Sequence, residues 1–236
     1  MASRPVVELA PDVWRIPLMG DWVNGFALRD DDGQMTLIDF GLKRSAKKVL
    51  AALESIGSGP ADVTRILLTH AHPDHAGGAA EISRHTGQSM GIHADDAAYL
   101  AEGRSPPRDE SKWLGRMLNR MGSGNFEPVP LGERFTDGQL LPVSGGLRVI
   151  HTPGHSPGHV AFHHEPSGVL ITGDSIFNVL GMRWSVASFC TDFAMSKETA
   201  HRLMEVDYRV AAFTHGPEIR DNPRQAIGAF LAKHRL

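Results

Sequence analysis

Ile66-Leu67-Leu68-Thr69-His70-Ala71-His72-Pro73-Asp74-His75 is the stretch on which the reading of this chain turns. It opens as an apolar run of the kind that suits a strand buried on both faces. It then sets three imidazoles and a carboxylate within six positions, from His70 to His75. Imidazole nitrogen with some carboxylate oxygen is the donor set that zinc and similar borderline divalent cations prefer. With 13 histidines in 236 residues, some clustering arises by chance. The segments downstream give the cluster its meaning.

His155 lies in Thr152-Pro153-Gly154-His155-Ser156-Pro157-Gly158-His159, a turn directly after the strand-like run Leu147 to His151. Asp174 sits in Thr172-Gly173-Asp174-Ser175, after Val169 to Thr172. His215 follows Val210 to Phe213, in Phe213-Thr214-His215-Gly216-Pro217. Every donor stands at the C-terminal end of a strand-like run, where loops converge on one cleft. One histidine in such a turn is more often structural than a ligand. Four segments with the same order, apolar run and then donor, reverse that reading.

Outward from these segments, Val13 to Leu18, Phe26 to Arg29 and Met35 to Ile38 read as strands, with Asp30-Asp31-Asp32-Gly33 as a hairpin turn. A helix is predicted from about Ser45, because Ala46, Val49, Leu50, Leu53 and Ile56 keep helical spacing up to the break at Gly57 to Pro60. Val63 to Thr69 is the strand that delivers the histidines, and Ala76-Gly77-Gly78 opens a second helix through Ile82. Val160 to His163 adds a strand. Late helices are expected over Lys197 to Val206, capped by Ser196, and over Pro223 to Leu231, capped by Asn222. Strands followed by helices, twice over, predict two sheets packed face to face with helices outside.

Composition narrows the function. The chain is 41% hydrophobic with a net charge of −3 and no long run of like charge, so it carries no footprint for nucleic acid and no polybasic membrane patch. Cys190 is the single cysteine, which excludes an intrachain disulfide and thiolate zinc clusters. It lies in the apolar segment Val186 to Cys190 and reads as a packing residue. The first thirty residues hold no apolar signal or spanning segment, so a cytoplasmic location is expected.

With these motifs in hand, the chain resembles the metallo-β-lactamase superfamily of metallohydrolases. The resemblance runs from Asn24 and Asp39-Phe40-Gly41, through His70-Ala-His72-Pro-Asp74-His75, His155 and Asp174, to His215-Gly216-Pro217. It implies an α+β fold, a four-layered αββα sandwich of two mixed β-sheets with helices on the outer faces. That fold would occupy residues 1–236 as one domain, with a helical insertion at about 94–130. By the same likeness His70, His72 and His155 would hold one metal, and Asp74, His75 and His215 the other. Asp174 would bridge them, and Asp39 would orient a ligand histidine; a turn aspartate is the plain alternative for Asp39. The implied cofactors are two divalent ions, zinc first, with iron or manganese as alternatives. Two such ions close together would share a water and lower its pKa toward about 7. The expected enzyme is therefore a binuclear hydrolase using a bridging hydroxide, with Asp74 as catalytic proton carrier.

Within the superfamily the turns around His155 and Asp174 are most similar to the glyoxalase II-like branch, whose members cleave thioesters. Only 21 residues follow His215 (236 − 215), so the C-terminal domain that grips glutathione is not expected. Acyl-homoserine lactonases are also similar, but they place a tyrosine where Phe177 stands, three residues after Asp174. Phosphodiesterases and β-lactamases of the superfamily are further alternatives. So is a mononuclear-iron persulfide dioxygenase, of which Thr191-Asp192-Phe193 is faintly reminiscent.

Two apolar segments are expected to select the substrate. Trp113, Leu114, Met117, Leu118 and Met121 fall on one helical face of the insertion. That face would cover the core, close over the cleft as a lid, or make a dimer contact. Phe177, Met182 and Trp184 follow Asp174 closely. Trp113, Met117, Phe177, Met182 and Trp184 are therefore the expected pocket residues, for a small molecule with an apolar acyl or aromatic portion. Arg183 and Lys197 read as solvated, with contact to a substrate carboxylate as the alternative. His159 is left between a ligand-supporting and a strand-end role. His85, His93, His151, His163, His164, His201 and His234 read as structural or solvated.

Overall fold

A computed structural model of the chain describes residues 5–121 and 125–234. Its first sheet contains β1 (Val7–Ala10), β2 (Val13–Pro17), β3 (Asn24–Arg29), β4 (Met35–Ile38), β5 (Val63–Leu67), β6 (Met90–His93) and β7 (Leu131–Phe135), neighbours in that order. The pairs from β1 to β4 are antiparallel and those from β4 to β7 are parallel. Parallel neighbours need long crossovers. These carry α1 (Ala46–Ser55), then α2 (Pro73–Ala76) and α3 (Ala79–Thr86), then α4 (Ala97–Glu102) and α5 (Trp113–Arg120). The second sheet runs β12-β11-β10-β9-β8, from β8 (Leu140–Leu141), β9 (Leu147–His151), β10 (Val160–His164), β11 (Val169–Ile171) and β12 (Val210–Ala212). Only β11 and β12 pair in parallel. The helices α6 (Phe193–Thr199) and α7 (Pro223–Lys233) follow β11 and β12.

Side-chain alternation sorts the strands into four layers, because successive residues of a strand face opposite ways. Phe26, Leu28, Ile38, Leu67 and Phe135 of the first sheet share one core with Val149, Val160, Phe162, Val169 and Ile171 of the second. Their neighbours Ala27, Leu37 and Ile66 turn to the other face and meet Val49, Leu53 and Ile82 of the helices. On the far side Ile150, Ala161, Leu170 and Ala211 pack against Leu203, Ile227 and Phe230. Both sheets are covered on both faces, the α+β sandwich that the sequence implies. Phe135 and Phe162 meet edge to face across the central layer at 5.6 Å between ring centroids, a geometry worth about 0.5–1.5 kcal/mol beyond burial.

Several boundaries differ from expectation. The strand entering the histidine cluster stops at Leu67, because the Thr69 N–H leaves the ladder and donates to Asp39 Oδ1 at 2.9 Å. The helix expected from Lys197 starts at Phe193. Asp192 caps it, accepting from the Met195 N–H at 2.9 Å, and Ser196 lies buried inside the first turns. Asn222 does precede Pro223 at the start of α7, but in the left-handed conformation and without a side-chain cap bond. Among the described residues no helix is long and apolar enough to cross a membrane.

Candidate metal centre

The parallel pairing of β4 and β5 sets their C-terminal ends side by side and brings Asp39 against the histidine loop. Asp39 accepts from the Thr69 N–H, from Thr69 Oγ1 at 2.8 Å and from His75 Nδ1 at 2.9 Å. It holds a left-handed backbone (φ 58°), a conformation that aspartate tolerates better than most residues. The loops after β9, β11 and β12 arrive from the second sheet along the same edge.

Two groups of donors result. His70 Nε2 lies 3.1 Å from His72 Nδ1, which is 2.9 Å from His155 Nε2. Asp74, His75 and His215 form the other group, with His215 Nε2 3.5 Å and His75 Nε2 3.8 Å from Asp74 Oδ2. Asp174 stands between them. Its Oδ2 is 3.1 Å from His155 Nε2, and its Oδ1 is 3.3 Å from both His75 Nε2 and His215 Nε2. The structure thus brings together all seven donors that the sequence singles out.

Hydrogen bonds on the far side of the His70, His75 and His215 rings fix which nitrogen faces inward. Thr69 Oγ1 gives its proton to Asp39, so it can only accept from His70 Nδ1 at 3.1 Å. That leaves the Nε2 lone pair of His70 for the cluster. His75 Nδ1 donates to Asp39 and His215 Nδ1 donates to the Trp22 carbonyl. The Nε2 atoms of His75 and His215 are left buried without a hydrogen-bond partner. Such orphaned ring nitrogens beside a carboxylate are what a divalent cation would satisfy in place of a proton, and the imidazole-carboxylate set fits zinc, iron or manganese.

The charges agree with that fit. Burial and then the neighbouring imidazoles hold His70 and His72 well below the ordinary histidine pKa. Burial acts in the same direction on His75, His155 and His215. There the Asp174 carboxylate outweighs it and all three rise, His155 to about 10. Burial would raise Asp174, but His215, His75 and His155 draw it well below the usual carboxylate range. Protons on these rings balance Asp174, and a bound cation would take their place.

Four residues support the centre from behind, and of these only His159 had such a role left open by the sequence. Asp96, wholly buried, accepts from the Ala71 N–H at 3.0 Å, Ser156 Oγ at 2.6 Å and the Gly158 N–H at 2.7 Å. It ties the His70–His72 loop to the His155 loop. His159 accepts from the Asp174 N–H at 2.7 Å through Nε2, so its proton sits on Nδ1, facing Thr152. Burial lowers its pKa to about 3, which keeps that ring neutral. A side chain at Gly173 would strike the same ring, its Cβ falling 2.5 Å from His159 Nε2. Cys190 does more than pack: its Sγ lies 3.5 Å from His155 Nδ1. Asn24 donates to the carbonyls of Phe213 and Gly216 and fixes the His215 turn. Only the pairing of distant loops reveals these roles.

The centre opens into a cleft of about 480 Å³, within the usual range for small-molecule sites. Met19, Trp22, Val23, Leu42, Phe177, Val179, Trp184, Val186 and Phe189 give it apolar walls, with Arg108 and Arg183 as its cations. Phe177 and Trp184 are therefore placed where the sequence puts them, and Phe177 packs on His215 with ring centroids 4.3 Å apart. Three other expected pocket residues are not in the lining. Met182 packs instead against the outer core that includes Ile227 and Phe230 of α7. Trp113 and Met117 lie on α5 facing solvent, Trp113 69% exposed, so this face does not cover the core. Arg183, read as solvated with contact to a substrate carboxylate as the alternative, is exposed and forms part of the wall.

The metallo-beta-lactamase superfamily profile matches residues 22–215. The chain belongs to that superfamily, and it is a metallohydrolase of that family with histidine and aspartate clusters suited to metal. It is 27% identical over 164 residues to hydroxyacylglutathione hydrolase GloC of Haemophilus influenzae, across 69% of this chain and 70% of that protein. It is 30% identical over 173 residues to an atrochrysone carboxyl ACP thioesterase of Pseudocercospora fijiensis; the match covers 73% of this chain but only 41% of the relative. Among solved structures, a metallo-beta-lactamase family protein of Thermus thermophilus superposes with a TM-score of 0.73 at 26% identity, over 96% of this chain and 80% of that one.

Proposed function

We propose that the protein is a binuclear hydrolase that cleaves thioesters, or esters and lactones, with an apolar acyl portion. The observation that carries this reading is the pair of donor clusters sharing Asp174 at the floor of a largely apolar cleft. Two relatives whose names specify acyl-glutathione hydrolysis and thioester cleavage support the substrate class. Divalent cations, zinc first, would supply an activated water and polarise the scissile carbonyl.

The chain's own residues do the rest. His70, His72 and His155 would hold one ion, Asp74, His75 and His215 the other, and Asp174 would contribute to both. Asp39, Thr69 and Cys190 keep the ligand rings turned inward. Phe177, Val179 and Trp184 exclude water from the acyl portion. Asp74, whose side chain is 37% exposed, would take up the proton of the attacking water at Oδ1, the oxygen not turned to His75 and His215, and deliver it to the leaving sulfur or oxygen. A small molecule is the partner of this site, and the cytoplasm is its proposed location.

Metal analysis coupled to a substrate panel tests the reading. Two equivalents of metal with anaerobic turnover of acyl thioesters or lactones is the expected result. One iron with oxygen consumed on glutathione persulfide would replace the hydrolase by a dioxygenase. Turnover confined to β-lactams or phosphodiesters would move the substrate class.

A further inference from the structure

Arg108 belongs to the segment between β6 and β7 and shows only 8% of its surface. A guanidinium is rarely buried to this extent, and its long side chain is then held in a defined position. Its main chain is clamped from two sides. Asn119 of α5 accepts from the Arg108 N–H and donates to the Arg108 carbonyl, both at 3.0 Å. The flanking residues are clipped to the opposite wall, where the Asp109 N–H donates to the Cys190 carbonyl and Thr191 Oγ1 donates to that of Pro107, each at 2.8 Å. Gly115 lets α5 approach this strap, since a Cβ there would fall 2.2 Å from the Asp109 carbonyl oxygen. The side chain then reaches the cleft beside His72 and His155, its guanidinium carbon 5.7 Å from the Phe189 ring centroid.

We infer that Arg108 is an anion-recognition residue of this cleft and that the substrate carries a carboxylate or similar oxyanion close to the scissile bond. The inference rests on the hydrolase reading for the bond cleaved, but not for the anion bound. Arginine suits the task because its planar fork stays charged and matches a carboxylate with two parallel donors. Holding the backbone in advance reduces what binding must order. Arg183, the other cation of the wall, is exposed and screened by water, so its contribution is smaller.

The test uses metal-loaded protein and thioesters of matched length: glutaryl against pentanoyl on one neutral thiol, and a pentanoyl thioester of 3-mercaptopropanoate against one of propanethiol. These two arms distinguish an anion on the acyl side from one on the thiol side. One carboxylate-bearing member is expected to exceed its neutral partner by about 10- to 100-fold in kcat/KM. Arg108→Met should remove that preference through KM, Arg108→Lys should keep part of it, and Asn119→Ala should weaken it in a graded way. Arg84→Ala, far from the cleft, serves as the charge control. Circular dichroism and metal content verify that each variant is folded and loaded. Binding of the hydrolysis-inert thioether of the favoured carboxylate, followed by calorimetry, gives a readout without turnover. Loss of that binding in Arg108→Met, with no thioester or ester cleaved by wild type, would retain the anion site and remove the hydrolase reading. Equal or better use of the neutral members, or a preference that survives Arg108→Met, overturns the inference.

Discussion

The two donor clusters use similar side chains in unlike surroundings. His70, His72 and His155 are all buried, although His72 and His155 line the cleft floor, and their loops are tied at the back by Thr69, Cys190 and the Asp96 clasp. In the other cluster His75 is wholly buried, while Asp74 and His215 line the cleft and Asp74 is partly open to water. The first cluster consists of imidazoles, two of which resist protonation because burial and like-charged neighbours oppose it. The second includes a carboxylate, and its histidines are pulled toward the charged form by Asp174. A first ion would thus be held by a wholly buried tri-imidazole set, and a second beside the one ligand that water reaches, Asp74. The second site is then the more easily exchanged.

The most damaging change to that picture is Asp174→Asn, since Asp174 serves both clusters. Metal content should fall at both sites, and activity should drop beyond the roughly 10- to 100-fold that loss of an outer partner costs. Retention of two tightly held ions would sink the idea of a shared carboxylate. Next come the outer carboxylates, which should separate the clusters. Asp96→Ala should lower affinity at the tri-imidazole site, and Asp39→Asn at the His75 site, each by about 10- to 100-fold. Competition with a graded chelator measures both, and identical losses at both sites in both variants would erase the distinction.

A smaller effect is a proton balance. With His155 near 10 and His75 and His215 raised, these rings hold protons at pH 7 that loading must displace. Metal affinity should therefore climb as pH rises from about 6 toward the elevated values, and loading should release protons. Calorimetry in buffers of different ionisation enthalpy reads the number directly, and a value of zero at pH 7 contradicts the assigned charges. The smallest effect belongs to the outer face of α5. Trp113→Ala and Met117→Ala should shift stability by no more than about 0.5 kcal/mol and leave turnover of small thioesters intact, because neither residue lines the cleft. A large loss of activity there would make α5 part of the substrate site after all.

The donor segments were readable from one dimension because each obeys the same local grammar, an apolar strand ending in a turn that bears a ligand type. The hairpin at Asp30 to Gly33 likewise announces itself through its turn composition, whereas the layer that Leu67 faces does not, because its neighbours Ile66 and Leu68 are equally apolar. Helix starts were less legible: Asp192 and Ser196 are both acceptable caps, and packing of the turn at Gly154 against Ser196 selects the earlier one. The amphipathic spacing of Trp113 and Met117 looked like a pocket wall, yet periodicity says only that one face differs from the other and not what it meets.

What the amino-acid order determines by itself is the inventory: which side chains can ligate, at which strand ends they stand, and hence the family of fold. What only the folded chain decides is who touches whom across long separations. Asp96 clasping Ala71 and Gly158, His159 orienting Asp174, and Arg108 entering the cleft all depend on loops from different sheets arriving at one edge. The physical reason is that strand and helix signals are local sums over neighbouring residues, whereas the energy of a buried hydrogen bond or charge is set by the environment that distant segments build around it.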